Sequence, residues 1–244
     1  MVVANWKMNP ATIREAKRLF EATGKAAKAA RSVSVVVAPP APFLGVLARG
    51  YRGKIGFAIQ NAHFEAGGAH TGEVSMGQAE DVGASFVIIG HAERREMGES
   101  DEDIRKKVAA ALSARLTPIL CVGERERKHG EYFNVIREQL RIALADTEGR
   151  AHRVIIVYEP LWTIGKDTAM SPSKMHEMAI FIRKTVVELH GEIGHNMKIL
   201  YGGSVNDKDA GAMLREGDVK GFLVGRASID AEEFASLLQV MQDA

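Results

Sequence analysis

Three side chains in this 244-residue sequence stand where a short apolar run gives way to polar sequence: Lys7 in "NWK", His91 in "IIGHAERRE" and Glu159 in "VIIVYEPLWTIGKDTA". A carboxylate, an imidazole and an amine are parts for proton transfer. The first can act as base, a neutral imidazole can offer N–H to a substrate oxygen, and the cation can face a developing oxyanion. Each also has an ordinary reading, as a solvated strand-end carboxylate, a satisfied structural histidine, and a rim cation whose pairing with Glu93 contributes little. The residues after Glu159 weigh against the first of these. Pro160, Leu161, Trp162, Thr163, Ile164, Gly165, Lys166, Asp167, Thr168 and Ala169 combine a stiff proline, a large apolar ring and a flexible glycine, the makeup of a lid between two hinges. A lid that shut out water would make a carboxylate beneath it a stronger base. His91 sits between an apolar run and a predicted helix start, where backbone N–H groups would donate to one ring nitrogen and leave the other as the N–H donor.

Two glycine turns near the carboxyl end suggest what such a site would hold. "YGGSV" places Gly202 and Gly203 before Ser204, and "VGRAS" places Gly225 before Arg226. Glycines let the backbone approach an anion closely, and turns of this kind present N–H groups to phosphate.

The elements that would position these groups are legible as eight short apolar runs. They are "VVAN" from Val2, "VSVVVAP" from Val33, "IGFAIQN" from Ile55, "SFVIIG" from Ser85, "TPILCVG" from Thr117, "VIIVYE" from Val154, "MKILYGG" from Met197 and "GFLVG" from Gly221. Their continuous rather than alternating apolar character predicts parallel strands covered on both faces. Helical sequence lies between them. Ser100 caps "DEDIRKKVAAAL", with Ile104, Val108 and Leu112 on one face; Ser171 and Pro172 open a second helix whose buried stripe is predicted to run through Met175, Met178, Ile182, Val186 and Leu189. Eight strand–helix units of about thirty residues predict an α/β fold, a single closed (β/α)8 barrel domain over residues 1–244. The dinucleotide-binding version of the open doubly wound alternative would carry a G-x-G-x-x-G turn after the first strand, and none is present. In a barrel, chemistry belongs at the carboxyl ends of the strands. Those ends carry Asn5, Lys7, Gln60, Asn61, His91, Cys121, Glu124 and Glu159 as well as both glycine turns.

Composition narrows the function classes. Lys and Arg total 32 against 31 Asp and Glu, so the net charge of +1 gives no broad attraction to nucleic acid or an anionic membrane. One cysteine excludes an internal disulfide and a multi-cysteine zinc site, in keeping with a reducing, cytoplasmic setting. The opening residues lack a cleavable-signal layout, and the uncharged run from Ser32 to Ala48 is broken by Pro39, Pro40, Pro42 and Gly45, so it reads as strand, turn and short helix.

Taken together, "ANWKMN", "GHAERRE", "CVGE", "YEPLWTIG", "YGGSV" and "LVGRAS" make the whole chain resemble the triosephosphate isomerase family. The resemblance implies interconversion of dihydroxyacetone phosphate and glyceraldehyde 3-phosphate through an enediol, with neither cofactor nor metal. It assigns proton shuttling to Glu159, carbonyl polarisation to His91 and oxyanion stabilisation to Lys7 and Asn5, with Glu93 holding Lys7. Phosphate would be held mostly through main-chain N–H groups of Gly165, Ser204, Gly225 and Arg226, beside Gly202 and Gly203. It also implies a homodimer, in which the loop "FEAGGAHTGEVS" would dock through Thr71 and Gly72 beside the partner's active site. The competing readings are another barrel isomerase or epimerase of sugar phosphates, and a barrel that binds phosphorylated ligands without turnover.

Three positions depart from the family pattern. Ala92 replaces a serine that contacts the resting base, the lid reads "IGKDTA" where "IGTGKTA" is usual, and Arg226 replaces a glycine. If Arg226 needed a positive φ, the substitution would cost about 1–2 kcal/mol, so a relaxed backbone is expected there.

Overall fold

A computed structural model of the chain describes residues 1–127, 130–163 and 170–244. Eight strands, β1 (Val2–Asn5), β2 (Val35–Ala38), β3 (Gly56–Ile59), β4 (Phe86–Ile89), β5 (Thr117–Val122), β6 (Ile155–Tyr158), β7 (Ile199–Tyr201) and β8 (Phe222–Val224), pair in sequence order. Every pairing is parallel, and β8 closes on β1 with Val2 opposite Phe222. The result is the closed (β/α)8 barrel that the apolar runs predict.

Around it lie α1 (Ile13–Ala29), α2 (Ala41–Ala48), α3 (Met76–Asp81), α4 (Ala92–Glu96), α5 (Asp101–Ser113), α6 (Glu131–Ala143), α7 (Pro172–His190), α8 (Asp207–Glu216) and α9 (Ala231–Asp243). The connection after β4 holds two helices rather than one. α5 begins where Ser100 and Asp103 form a reciprocal capping box, and α7 where Ser171 accepts from the Lys174 N–H with Pro172 in the first turn. One expectation is corrected on α7. Met175, Met178, Ile182 and Val186 are buried, but Leu189, in the last turn of α7 before the 3-10 turn Gly191–Asn196, is 38% exposed.

The period of two along each strand separates two cores. Val3, Val36, Ala58, Ile88, Ile119, Val157, Leu200 and Leu223 fill the barrel interior, whereas Val2, Ala4, Val37, Val87, Leu120, Ile156 and Ile199 pack outward with the helices. Two residues beyond the interior positions stand Asn5, Gln60, Glu159, Gly202 and Gly225. The alternation that builds the core thus carries these residues to the carboxyl-end mouth.

Candidate active site

That mouth holds a cavity of about 770 Å³ lined by the side chains of Asn5, Lys7, His91, Glu93 and Glu159 and by the turns carrying Gly202, Gly203, Ser204, Gly225 and Arg226. Lys7, His91 and Glu159, separated by up to 152 residues of sequence, form one chain of contacts. Lys7 Nζ lies 2.6 Å from Glu93 Oε1. The Glu93 backbone N–H donates to His91 Nδ1 at 3.2 Å, and His91 Nε2 lies 3.4 Å from Glu159 Oε1. A nitrogen that accepts an N–H must present a lone pair, which leaves the ring proton on Nε2, pointing toward the cavity and the carboxylate.

Local sequence explains each placement. His91 is the cap residue of α4, and its own ring takes the N–H of the first turn, work usually done by a Ser or Asp side chain. Glu159 directly follows β6 and is 2% exposed, with its second oxygen accepting the Ala92 N–H at 2.9 Å. The main chain at position 92 therefore supplies a resting contact although the residue has no hydroxyl. Lys7 adopts φ 52°, a left-handed conformation costly for a side chain bearing Cβ. Its N–H donates to Asn5 Oδ1 at 3.0 Å and its carbonyl accepts from Gln60 Nε2 at 2.7 Å, which hold that conformation.

Other strand-end polar groups turn away from the cavity. Asn61 receives a hydrogen bond from Lys107, and Cys121 is fully buried in the barrel interior. Burial pushes the Cys121 thiol well up, and the Glu159 carboxylate adds to the shift, so the thiol stays protonated. Glu124, 1% exposed, accepts from the Tyr158 hydroxyl at 2.7 Å and from Trp162 Nε1 at 2.9 Å. Burial, reinforced by the Glu124 charge, drives the Tyr158 hydroxyl up and keeps it a donor.

The lid sequence is described at its amino end, and Met170 directly follows its last residue. Pro160 leads into the 3-10 turn Leu161–Thr163, anchored through Trp162 to Glu124, and Met170 N–H donates to the Tyr201 hydroxyl at 3.1 Å. Ile164, Gly165, Lys166, Asp167, Thr168 and Ala169 lie outside the described residues. At the glycine turns, a Cβ at Gly202 would stand 2.6 Å from Val157 Cγ1 and 2.8 Å from Glu159 Cγ. One at Gly225 would come within 3.0 Å of Lys7 Cε. Arg226 opens the 3-10 turn Arg226–Ser228 and is not among the residues of positive φ, so it carries no left-handed strain. Thr71 and Gly72 are exposed at the tip of a loop braced by stacked His63 and His70 rings 4.4 Å apart. Among the described residues, no group of three or more His, Cys, Asp or Glu side chains is arranged to hold a metal ion.

Sequence reasoning passed over Gln139 on α6, whose side chain reaches the peptide after β5. Its signal was present: a glutamine shares the buried stripe of Ile136, Leu140 and Ala143.

A family model described as Triosephosphate isomerase matches residues 1–241. The chain belongs to the triosephosphate isomerase family. A protein of Aquifex aeolicus named triosephosphate isomerase is 39% identical over 242 residues, covering 98% of each chain. One of the same name from Endomicrobium trichonymphae is 40% identical over 98% of this chain and 97% of its own, and one from Clostridium acetobutylicum is 40% identical over 98% of both. The family is itself the standard example of a glutamate base paired with a neutral histidine under a closing loop.

Proposed function

We propose that this chain interconverts dihydroxyacetone phosphate and D-glyceraldehyde 3-phosphate, with Glu159 as the base. The observation that carries the reading is the convergence of Glu159, His91 and Lys7 on one cavity that two glycine turns also line. Glu159 removes a proton from the carbon beside the carbonyl, and the C–H electron pair becomes the carbon–carbon double bond of an enediolate. Negative charge moves to the former carbonyl oxygen, where His91 Nε2–H donates and the ammonium of Lys7 and the amide of Asn5 stabilise it. Reprotonation of that oxygen, loss of the neighbouring hydroxyl proton and return of the carbon-bound proton to the adjacent carbon complete the exchange without net oxidation.

Gly202, Gly203, Ser204, Gly225 and Arg226 hold the phosphate through main-chain groups, with Gly165 completing the grip from the lid. Anchoring the phosphate positions the reacting carbon and lets the remote group's binding energy act at the reacting centre. A coupled assay with glyceraldehyde 3-phosphate tests the reading. Turnover by the unaltered chain and a loss of kcat of about 10³-fold in Glu159→Gln are expected, within the range of general-base catalysis. Retained turnover in Glu159→Gln removes the base assignment.

We also infer a homodimer that works in the cytoplasm. Support comes from the exposed tip Thr71–Gly72, and from Met8, which is 92% exposed beside Lys7 and offers apolar surface at the rim of the site. Sedimentation at micromolar concentration is expected to give twice the 26.5 kDa chain mass; a monomer there ends this reading.

A further inference from the structure

Gln139 is 9% exposed, and both of its hydrogen bonds go to one residue. The Gly123 N–H donates to its Oε1 at 2.9 Å, and its Nε2 donates to the Gly123 carbonyl at 3.1 Å. Gly123 follows β5, where the ladder ends, so its buried peptide groups need partners from elsewhere.

That peptide is also the surface against which Glu159 lies. A Cβ at Gly123 would collide with the Glu159 carbonyl and stand 2.9 Å from Leu161 Cδ1. On either side of it, Glu159 N–H donates to the Val122 carbonyl at 2.8 Å and Leu161 N–H to the Glu124 carbonyl at 3.1 Å. The tail of β5 is therefore a mould for the main chain that carries Glu159, and a side chain from α6 grips the middle of the mould at both of its polar atoms.

We propose that Gln139 is a positioning residue for Glu159, acting through the Gly123 peptide. The inference rests on the assignment of Glu159 as base. Loss of the amide frees the Gly123 peptide to turn, shifts the Glu159 backbone and moves the carboxylate from its reacting position, where a displacement of 1 Å costs about 10²-fold in rate. The proposed phosphate turns after β7 and β8 share no hydrogen bond with Gln139, whose amide is engaged by Gly123.

Gln139→Met keeps the length of the side chain and removes both hydrogen bonds. Well below its melting temperature, kcat is expected to fall by about 10- to 100-fold, while KM and the inhibition constant of glycerol 3-phosphate, which carries phosphate but no carbonyl, stay within about twofold of the unaltered chain. In Gln139→Glu, which retains an acceptor for the Gly123 N–H, kcat is expected to lie between the two; this variant carries the test if Gln139→Met does not fold. A lowered melting temperature with unchanged kcat in either variant makes Gln139 structural only and overturns the proposal, as does a rise in the glycerol 3-phosphate constant that parallels the loss of kcat. Full turnover in Glu159→Gln is a different failure, that of the base assignment itself.

Discussion

The two walls of the cavity are built on different principles. On the wall formed by the ends of β4, β5 and β6, the proposed chemistry rests on side chains: Glu159 and His91 are buried, each oxygen or nitrogen has a named neighbour, and the supporting groups Glu124, Tyr158 and Gln139 are buried as well. On the wall formed by the ends of β7 and β8, Gly202, Gly203, Ser204 and Gly225 are only half-buried, and the surface offered is largely main chain. Placing a proton within a fraction of an ångström requires groups that cannot move. Holding a phosphate requires several N–H groups at close range, which glycine turns provide without a dedicated side chain.

Gly202 is where the two walls meet, and it should give the largest response of any substitution on the phosphate side. A Cβ there would stand 2.6 Å from Val157 Cγ1 and 2.8 Å from Glu159 Cγ, so an added methyl group must push both groups away. Val157 is packed in the barrel interior, so the glutamate yields first. Gly202→Ala is therefore expected to lower kcat by about 10²-fold through misplacement of the base, with a smaller change in KM. If KM alone rises and kcat holds, the turn acts only on phosphate and the division drawn here lies elsewhere.

The sequence disclosed which residues reach the cavity mouth better than it disclosed where their side chains point, and for a physical reason. A closed parallel barrel sends every strand's carboxyl end to one face, so polar residues at the ends of apolar runs must converge wherever they fall in the chain. Lys7, His91 and Glu159 could thus be grouped from one-dimensional information. The same rule also nominated Asn61, Cys121 and Glu124, which share the strand ends but point at Lys107, the barrel interior and Trp162. Side-chain direction at a strand end depends on the turn that follows, and that turn is set by contacts from other elements. Gln139 illustrates this limit, since its effect on Gly123 crosses from α6 to β5 and leaves only a polar interruption in an apolar stripe as its local trace. Leu189 shows the converse, because it continues the helical period of α7 and yet is partly exposed at the end of that helix.

The smallest response is expected at Arg226, the phosphate-side residue that departs most from the family pattern. If that wall works through main chain, the identity of the side chain matters little so long as the backbone keeps its shape. Arg226 is exposed, starts a short 3-10 turn and lacks positive φ, so the turn closes equally well around a residue with Cβ. Ser228 holds the turn from within, donating from its N–H and its hydroxyl to the Gly225 carbonyl at 2.9 and 2.6 Å. Arg226→Gly keeps the N–H and the turn, removes a cation near the anion, and loosens the unfolded chain at a cost of up to about 1 kcal/mol of stability. Steady-state kinetics are accordingly expected to show KM raised by no more than about fivefold, the size of a partly solvated charge contact, with kcat essentially unchanged. A collapse of kcat by several orders of magnitude would place the Arg226 side chain in the chemistry and would mean that the two walls are not built on different principles after all.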